Sequence, residues 1–290
     1  MALTWPVVLA VLFGALLHAS WNALIKAGGD KALDTALVHL LGACVALPFA
    51  IWVGPPPAAA WPFIGASLVT HIGYYIALVG AYQHGELGLT YPIMRGFAPL
   101  LVALASGAFI GEAPSFVSWL GIVGITIGVA LVGLAHPGEA LHHRKALAFA
   151  FANAAIIALY TVVDGRGVRV SVVDDHGVLR YVLALFVLDG IAFPLLVWLR
   201  RSAEGRREIV RYAARRWPIA ALGGSASAGS YAIALWAMTR APVASVAALR
   251  ETSVLFASVI GMLLLKERFG LQRAAGTCVI VGGVMALRFG

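Results

Sequence analysis

The sequence predicts an all-α integral membrane protein: a bundle of ten transmembrane helices, arranged as two inverted five-helix repeats around a central cavity. Hydrophobic residues fill 61% of the 290 positions and charged residues only 12%, about half the charged fraction of a soluble domain. Ten apolar stretches are long enough to cross a bilayer. Part of the first half also recurs in the second half after a constant shift.

A helix needs about 20 apolar residues to cross the hydrocarbon core, and ten such stretches follow one another, separated by charged, Gly-rich or Pro-rich connections. In chain order the predicted spans are residues 5–26, 33–54, 62–83, 89–110, 116–135, 146–163, 178–199, 217–239, 243–264 and 270–288. The longer connections lie near 136–145, 164–177 and 200–216. We therefore expect one membrane domain without a soluble domain, in which residues 1–135 form the first repeat and 136–290 the second.

The remaining features exclude several kinds of protein. The first stretch has no Lys or Arg before Lys26, so it lacks the basic start of a signal peptide and is expected to be retained. Cys44 and Cys278 lie in apolar stretches, and neither a disulfide nor a metal site is predicted. A Gly-rich phosphate loop is missing, so we expect a gradient rather than ATP to drive transport. No cofactor is predicted.

Residues 77–133 match the second half of the chain when they are shifted by 155 positions. The shift places Arg95 on Arg250, Glu112 on Glu267, Gly121 on Gly276 and Gly128 on Gly283. An arginine inside an apolar stretch and a glutamate at a helix end are rare enough for these matches to carry weight. Helices 4 and 5 thus fall on helices 9 and 10, and each repeat contains five helices.

An odd number of crossings makes the second repeat enter the membrane from the opposite side. The repeats are then related by a pseudo-two-fold axis in the membrane plane, the arrangement that transporters use to alternate between inward-open and outward-open states. A membrane-embedded enzyme is the rival hypothesis from another class. Its usual motifs, such as His-Glu-x-x-His or an exposed Ser/His/Asp set, are missing, and we expect no enzyme.

A family resemblance rests on the end of helix 4 and the glycine spacing of helix 5 in each repeat. The motifs are Gly111-Glu112 with Gly121, Gly124 and Gly128, then Lys266-Glu267 with Gly276, Gly282 and Gly283, and Trp21, Asn22 and Lys26 at the end of helix 1. The chain resembles the EamA-type ten-helix branch of the drug/metabolite transporter superfamily, and within it the bacterial amino-acid exporters. The resemblance implies a helical basket whose cavity is lined mainly by helices 1, 3, 4, 6, 8 and 9.

Two features depart from that family pattern. Residues 54–61 carry no charge, whereas many relatives have a basic loop there, and the basic segment of this chain instead joins helices 7 and 8. Helix 1 also lacks the intramembrane glutamate through which the small four-helix relatives exchange protons. The second departure weighs against simple proton antiport.

Arg95 and Arg250 lie well inside apolar stretches, where a guanidinium costs at least about 2.5–3.5 kcal/mol on insertion scales. One hypothesis is that both bind the carboxylate of a solute. The alternative is that a neighbouring acid or backbone carbonyls hold each of them. Glu251 does not face Arg250, because consecutive helical residues project in different directions, and we expect it to meet another partner or a solute ammonium group.

Aromatic side chains are expected on the helices that the resemblance places around the cavity. They are Tyr75 and Tyr82 on helix 3, which share a face, with Tyr91, Tyr160 and Trp236 on helices 4, 6 and 8. Each ring offers an amphipathic solute an apolar face and a polar tip. The alternative is that the rings form an aromatic belt at the membrane interface.

Asn22 is expected to contact either the solute or a neighbouring helix. His18, His39, His71 and Asp189 are expected to be structural, with a proton relay or a coupling-ion site as the alternative.

The function predicted from these features is a gradient-driven or facilitative transporter that exports or exchanges small amphipathic metabolites, with amino acids as the first candidate. The alternative cargoes are cationic drugs, nucleotide sugars or lipid-linked sugars. Its partners are a small-molecule substrate and the lipid bilayer, without nucleic acid, and a monomer is compatible with the sequence. The location is a cell membrane, as a multi-pass protein, which in a Gram-negative bacterium is the inner membrane.

Charge bias predicts the orientation. Of the 21 Lys and Arg residues, Arg95 and Arg250 lie within spans. Five lie on one side, namely Arg166, Arg169, Arg180, Arg240 and Arg288, and the remaining fourteen lie on the other side with segment 200–216. The positive-inside rule places that segment in the cytoplasm and both termini outside. Resemblance implies termini inside for many family members, and we follow the charge count.

Overall fold

The computed structural model describes residues 3–26, 28–84, 87–133, 144–265 and 270–290. The side chains of Lys26, Tyr75, Val79, Tyr82, 87–89, Gly261 and 263–265 lie outside the described set. The α-helices are α1 (Trp5–Lys26), α2 (Lys31–Val53), α3 (Trp61–His84), α4 (Leu87–Phe109), α5 (Phe116–Gly133), α6 (Arg144–Val170), α7 (Gly177–Leu199), α8 (Ala203–Met238), α9 (Val243–Arg250), α10 (Ser253–Leu265) and α11 (Leu271–Phe289). A short 3-10 turn, Ala58–Ala60, precedes α3, and the described residues contain no strand.

The all-helical membrane architecture is confirmed. Eight helices in the described residues are long and apolar enough to cross a membrane, with α9 and α10 counted as one span, Val243–Ile260. Helices α3 and α11 contain 24 and 19 residues and complete two sets of five. Large apolar side chains cover the outer surface: Ile51, Phe116 and Ile76 are 75%, 76% and 66% exposed. A surface of this kind needs lipid rather than water around it.

Three predicted boundaries are wrong. Helix α6 continues to Val170 rather than ending at residue 163, so residues 164–170 belong to a helix and not to a connection. Segment 200–216 is not a loop, because α8 begins at Ala203 and extends the eighth span by almost four turns; the Ser202 hydroxyl caps it by accepting from the Gly205 amide. The ninth span is not continuous, because it breaks between α9 and α10 at Glu251 and Thr252.

The two repeats pack against each other in matching ways. Helix α1 packs on α8 and on the α9–α10 pair, and its counterpart α6 packs on α3 and α4. Helices α2 and α7 pack against each other, as do α5 and α11. When the repeats are exchanged, the contacts of α1 become those of α6. The α2–α7 and α5–α11 contacts each map onto themselves, as a pseudo-two-fold axis requires.

Glycines bring α5 and α11 into backbone contact. A Cβ atom on Gly121 would lie 2.8 Å from the Gly283 carbonyl oxygen, and one on Gly128 would lie 2.8 Å from that of Gly276. The reverse distances are also 2.8 Å. The 155-residue shift converts the first pair into the second, so this interface lies on the pseudo-two-fold axis. Small residues allow such close approach between membrane helices.

The two ends of the bundle are tied by different ion pairs. At the end that contains the start of α2 and the start of α8, which we name the basic face, Asp34 accepts hydrogen bonds from the Tyr212 hydroxyl at 2.9 Å and from Arg216 Nε at 3.2 Å. The other end is the opposite face. There Arg169 Nη2 lies 2.7 Å from Glu112 Oε1, while its Nε donates to the Met238 carbonyl at 2.7 Å.

Glu112 reaches that position because of the residue before it. Gly111 has φ = 76°, a left-handed conformation that only glycine adopts at little cost, and the chain therefore turns sharply after α4. The other carboxylate oxygen of Glu112 accepts the Val243 amide at 2.9 Å, at the start of α9. The first repeat thus caps a helix of the second. Its predicted equivalent, Glu267, lies outside the described residues.

Candidate functional site

Arg95 of α4 and Glu251, at the break after α9, form a buried ion pair in the middle of the bundle. Arg95 Nε lies 2.9 Å from Glu251 Oε2, and the two residues are only 8% and 4% exposed. Within the described residues, Arg95 Nε and Nη2 lack a well-directed hydrogen bond. Each repeat supplies one charge, and part of the guanidinium has unused donors. A buried guanidinium with free donors is a natural binding point for an anionic group.

Arg250 lies next to this pair but has a different environment. Its guanidinium carbon lies 5.0 Å from the centroid of the Tyr231 ring, a cation–π contact. In the described part of the chain it forms no ion pair, and it is less buried than Arg95. The charges of both arginines act on His18 of α1 and on Glu251. The cluster therefore holds two cations and one carboxylate.

Tyrosines surround the charged groups. Tyr74, Tyr91 and Tyr160 lie near the Arg95 guanidinium, and Tyr160 is itself 7% exposed. The Tyr160 ring stacks on His71 with centroids 4.7 Å apart and meets Tyr74 edge-on at 6.3 Å. Together with Tyr231, these rings bring aromatic side chains of α3, α4, α6 and α8 close to the charged groups.

The break between α9 and α10 is a tightened turn rather than a loop. The Glu251 amide donates to the Ala248 carbonyl, the Thr252 amide to Leu249, and the Val254 amide to Glu251, each three residues back. The Thr252 hydroxyl also donates to the Leu249 carbonyl at 2.7 Å. Such 3-10 tightening inside a helix often marks a hinge. The corresponding part of α4, around Gly96, stays helical.

Asp164 of α6 is a functional candidate that the sequence analysis missed. It is 0% exposed, and three hydroxyl groups from three helices donate to it. Tyr181 bonds Oδ1 at 2.8 Å, Ser67 bonds Oδ2 at 3.0 Å, and Tyr231 makes a short bond to the same Oδ2. One signal was available: Asp164 follows Tyr160 by four residues, so both share a face of a helix once α6 is extended past residue 163.

The other predicted site residues occupy varied positions. Asn22 Nδ2 donates to the His18 carbonyl at 2.7 Å, within its own helix. Trp236 is partly buried near the end of α8, where Arg240 lies over its ring at 5.1 Å. Tyr75 and Tyr82 belong to α3, but their side chains lie outside the described set. On α8 the ring that contacts the charged cluster is Tyr231.

The three histidines do not share one environment. His39 Nδ1 bonds the Thr35 carbonyl and its ring lies near Phe193, between α2 and α7. His18 of α1 is close enough to Arg95 and Arg250 to interact with their charges, and His71 of α3 stacks on Tyr160. The described residues contain no group of three or more His, Cys, Asp or Glu that could hold a metal ion. A cavity of about 320 Å³ lies between α2, α3 and α7, where Arg180 and Trp61 line it with apolar residues; the charged cluster lies elsewhere.

Comparisons with known proteins bear on the whole chain. The model of the EamA-like transporter family matches residues 5–134 and again residues 144–289. No curated protein matches the sequence. One crystal structure of a protein has a similar fold, with a TM-score of 0.76 and 16% sequence identity over 98% of this chain and 95% of that one. At that identity the likeness concerns the fold alone.

Proposed function

The chain belongs to the EamA-like transporter family, and we propose that it exports or exchanges small zwitterionic metabolites, amino acids above all, through a site at Arg95, Arg250 and Glu251. The family makes it a multi-pass membrane transporter. The choice of cargo rests on the charges and aromatic rings of the central cluster, together with the resemblance to amino-acid exporters.

The observation that carries the proposal is the unequal charge of this cluster. Two guanidinium groups face one carboxylate, and Nη2 of Arg95 has no hydrogen-bond acceptor among the described residues. A carboxylate on the solute supplies the missing negative charge, bridging Arg95 and Arg250 by charge-assisted hydrogen bonds. An ammonium group on the same solute finds Glu251 beside it. A purely cationic solute meets two like charges here, which disfavours the cationic-drug alternative.

The tyrosine rings suit the rest of such a solute. Tyr74, Tyr91, Tyr160 and Tyr231 offer apolar faces to a side chain and hydroxyl groups to its polar part. The turn at Glu251 and Thr252 lies directly beside the charged groups. Binding that pulls Glu251 away from Arg95 acts on this turn, which is where discontinuous helices of transporters respond to their substrates.

Uptake into liposomes that contain the purified chain tests the cargo. We propose radiolabelled L-phenylalanine as the probe, with phenethylamine lacking its carboxylate, 3-phenylpropionate lacking its ammonium group, and UDP-glucose as a nucleotide sugar. Phenylalanine should exchange across the membrane several-fold faster than the other three. Empty liposomes and the Arg240→Gln variant serve as controls, since Arg240 is exposed and outside the cluster. Preferred uptake of phenethylamine or UDP-glucose would refute the amino-acid proposal.

A further inference from the structure

Asp164 is a buried carboxylate whose only contacts of hydrogen-bond length in the described residues are hydroxyl groups. Burying an ionised carboxylate is costly unless charges or hydrogen bonds compensate it. Three hydroxyl donors supply part of that compensation, and no ion pair to Asp164 exists within the described ranges. Hydroxyl groups can also accept a hydrogen bond. The same surroundings therefore suit both a charged and a protonated Asp164.

The titratable groups around Asp164 come from each neighbouring helix. From α3, His71 lies close enough to interact by charge, and its Nδ1 is 3.4 Å from the Ser67 hydroxyl that donates to Asp164. Helix α7 contributes Tyr181 and helix α8 contributes Tyr231. On α6 itself, Tyr160 faces the same region.

The cations on the remaining neighbouring helices have contacts of their own. From α4, Arg95 is paired with Glu251. From α9, Arg250 lies over the Tyr231 ring, 5.0 Å from its centroid. Further along α6, Arg166 donates to the Phe109 carbonyl and Arg169 is paired with Glu112. His71 is thus the nearest group that can gain a positive charge next to Asp164.

We propose that Asp164 binds and releases one proton in each transport cycle and thereby couples solute movement to the proton gradient. This inference rests on the transport function proposed above. The step is the conversion of the carboxylate and a proton into a neutral carboxyl group, without any other bond change. Asp164 then supplies, on α6, the exchangeable proton site that helix 1 lacks.

The hydrogen bonds explain how the solute site senses that proton. Oδ2 accepts from both Ser67 and Tyr231 while it is unprotonated. A proton on Oδ2 makes that oxygen a donor, so the two hydroxyl groups can no longer both donate to it. One of the two hydroxyl groups must then turn away, and the Tyr231 ring is the surface on which Arg250 rests. A movement of Tyr231 connects the protonation of Asp164 to Arg250, a cation of the proposed solute site.

A proton is favoured over sodium by the same contacts. Three O–H groups donate to Asp164, so their hydrogen atoms occupy three of the roughly four lone-pair sites of the carboxylate. A bound cation needs several oxygen ligands, as calcium sites show, and the described residues contain no group of three or more His, Cys, Asp or Glu that could supply them.

Infrared difference spectroscopy on proteoliposomes of the full chain, between acid and alkaline pH, tests the proton site without any solute. Wild type should show the carbonyl stretch of a protonated carboxyl that disappears on alkalinisation. Asp164→Asn should lose this band, whereas Asp189→Asn, the same change in the middle of α7, should keep it. An unchanged band in D164N, or a band that responds to sodium at constant pH, would overturn the proposal.

Tyr231→Phe is a second variant that keeps the ring under Arg250 and removes one donor to the carboxylate. A hydrogen bond to a charged group favours the charged form, so its loss should move the midpoint of the band's pH dependence upward by about one pH unit or more. An unmoved midpoint would contradict the assignment to Asp164, even if D164N proves unstable.

Transport measurements with and without a pH gradient test whether Asp164 couples solute movement to proton movement. D164N should exchange phenylalanine at equal pH on both sides but lose accumulation driven by a pH gradient, while D189N should keep both. Gradient-driven accumulation by D164N would sink the proposal. If wild type carries no phenylalanine, the proposed cargo fails, whereas the infrared band still decides the role of Asp164.

Discussion

Arg95 and Arg250 are equivalent in the two repeats, yet their side chains have different neighbours. Arg95 is held by a buried acid, which is one of the two alternatives that the sequence left open, and Arg250 rests on a ring. The repeat relates backbone positions, and it does not make the contacts of the two side chains equal. Their substitution should therefore have unequal effects.

We expect Arg95→Gln to lower the free energy of unfolding by about 3–5 kcal/mol, because it leaves the buried Glu251 uncompensated. Arg250→Gln should cost about 0.5–2 kcal/mol, the range of a cation–π contact, and should raise the phenylalanine concentration for half-maximal uptake about ten-fold or more. Thermal unfolding of the purified variants and liposome uptake measure the two effects. Equal stability of R95Q and wild type would contradict a structural role for the ion pair.

The sequence marks Arg95, Arg250 and Glu251 as candidates but not Asp164, and the reason is physical. A charge inside an apolar run is conspicuous because its burial is costly. Asp164 stands at the end of such a run, where a charge is ordinarily exposed. Its donors Ser67, Tyr181 and Tyr231 come from three distant segments, and only the fold brings them to one carboxylate.

At the scale of elements, all ten predicted spans correspond to helices or helix pairs, and their middles were predictable because each must be apolar. The errors fall where this requirement ends. Segment 203–216 is too charged to read as a span, but Asp34 binds Tyr212 and Arg216 and holds it as a helix beside α2. The break at Glu251 has no proline or glycine to announce it. Its cause is tertiary, since the acid is drawn to Arg95.

The α5–α11 interface gives a matched test in two adjacent residues. A Cβ on Gly283 would lie 2.8 Å from the Gly121 oxygen and 3.0 Å from the Ile125 nitrogen, whereas Gly282 has nothing within 4 Å. Gly283→Ala should lower the free energy of unfolding by about 1–3 kcal/mol through overpacking. Gly282→Ala should be neutral or raise it by up to about 1 kcal/mol through helix propensity.

Gly128→Ala should behave like Gly283→Ala, because the 155-residue shift relates the two positions and a Cβ at residue 128 would meet the Gly276 oxygen at 2.8 Å. Thermal unfolding in one detergent compares the three variants. If G283A and G128A are as stable as G282A, the glycines are not equivalent points of close packing.

For the whole molecule, the described contacts tie the opposite face tightly. Glu112 and Arg169 join the α4–α5 connection, the end of α6, the end of α8 and the start of α9. These contacts therefore join segments of both repeats at this face.

The charge count predicts that this face lies outside the cell. In a chain with Cys44→Ser and Cys278→Ser, we expect Asp175→Cys, on the opposite face, to react with a membrane-impermeant thiol reagent added to intact cells. Glu204→Cys, at the start of α8 on the basic face, should react only after the cells are opened; both positions are exposed. Labelling of E204C from outside would invert the topology and put the termini in the cytoplasm.

The self-complementary contact between α5 and α11 has a further consequence for how such a chain can be inserted. A free-standing half of this length would bury the same glycine surface only against a copy inserted upside down, as an isologous pair requires. It would have to enter the membrane in both directions, and a strong charge bias would prevent this. Joining the halves in one chain removes that restriction. The connection between the two repeats fixes the opposite insertion directions of both halves. The single chain can therefore concentrate its arginines at one end of the bundle.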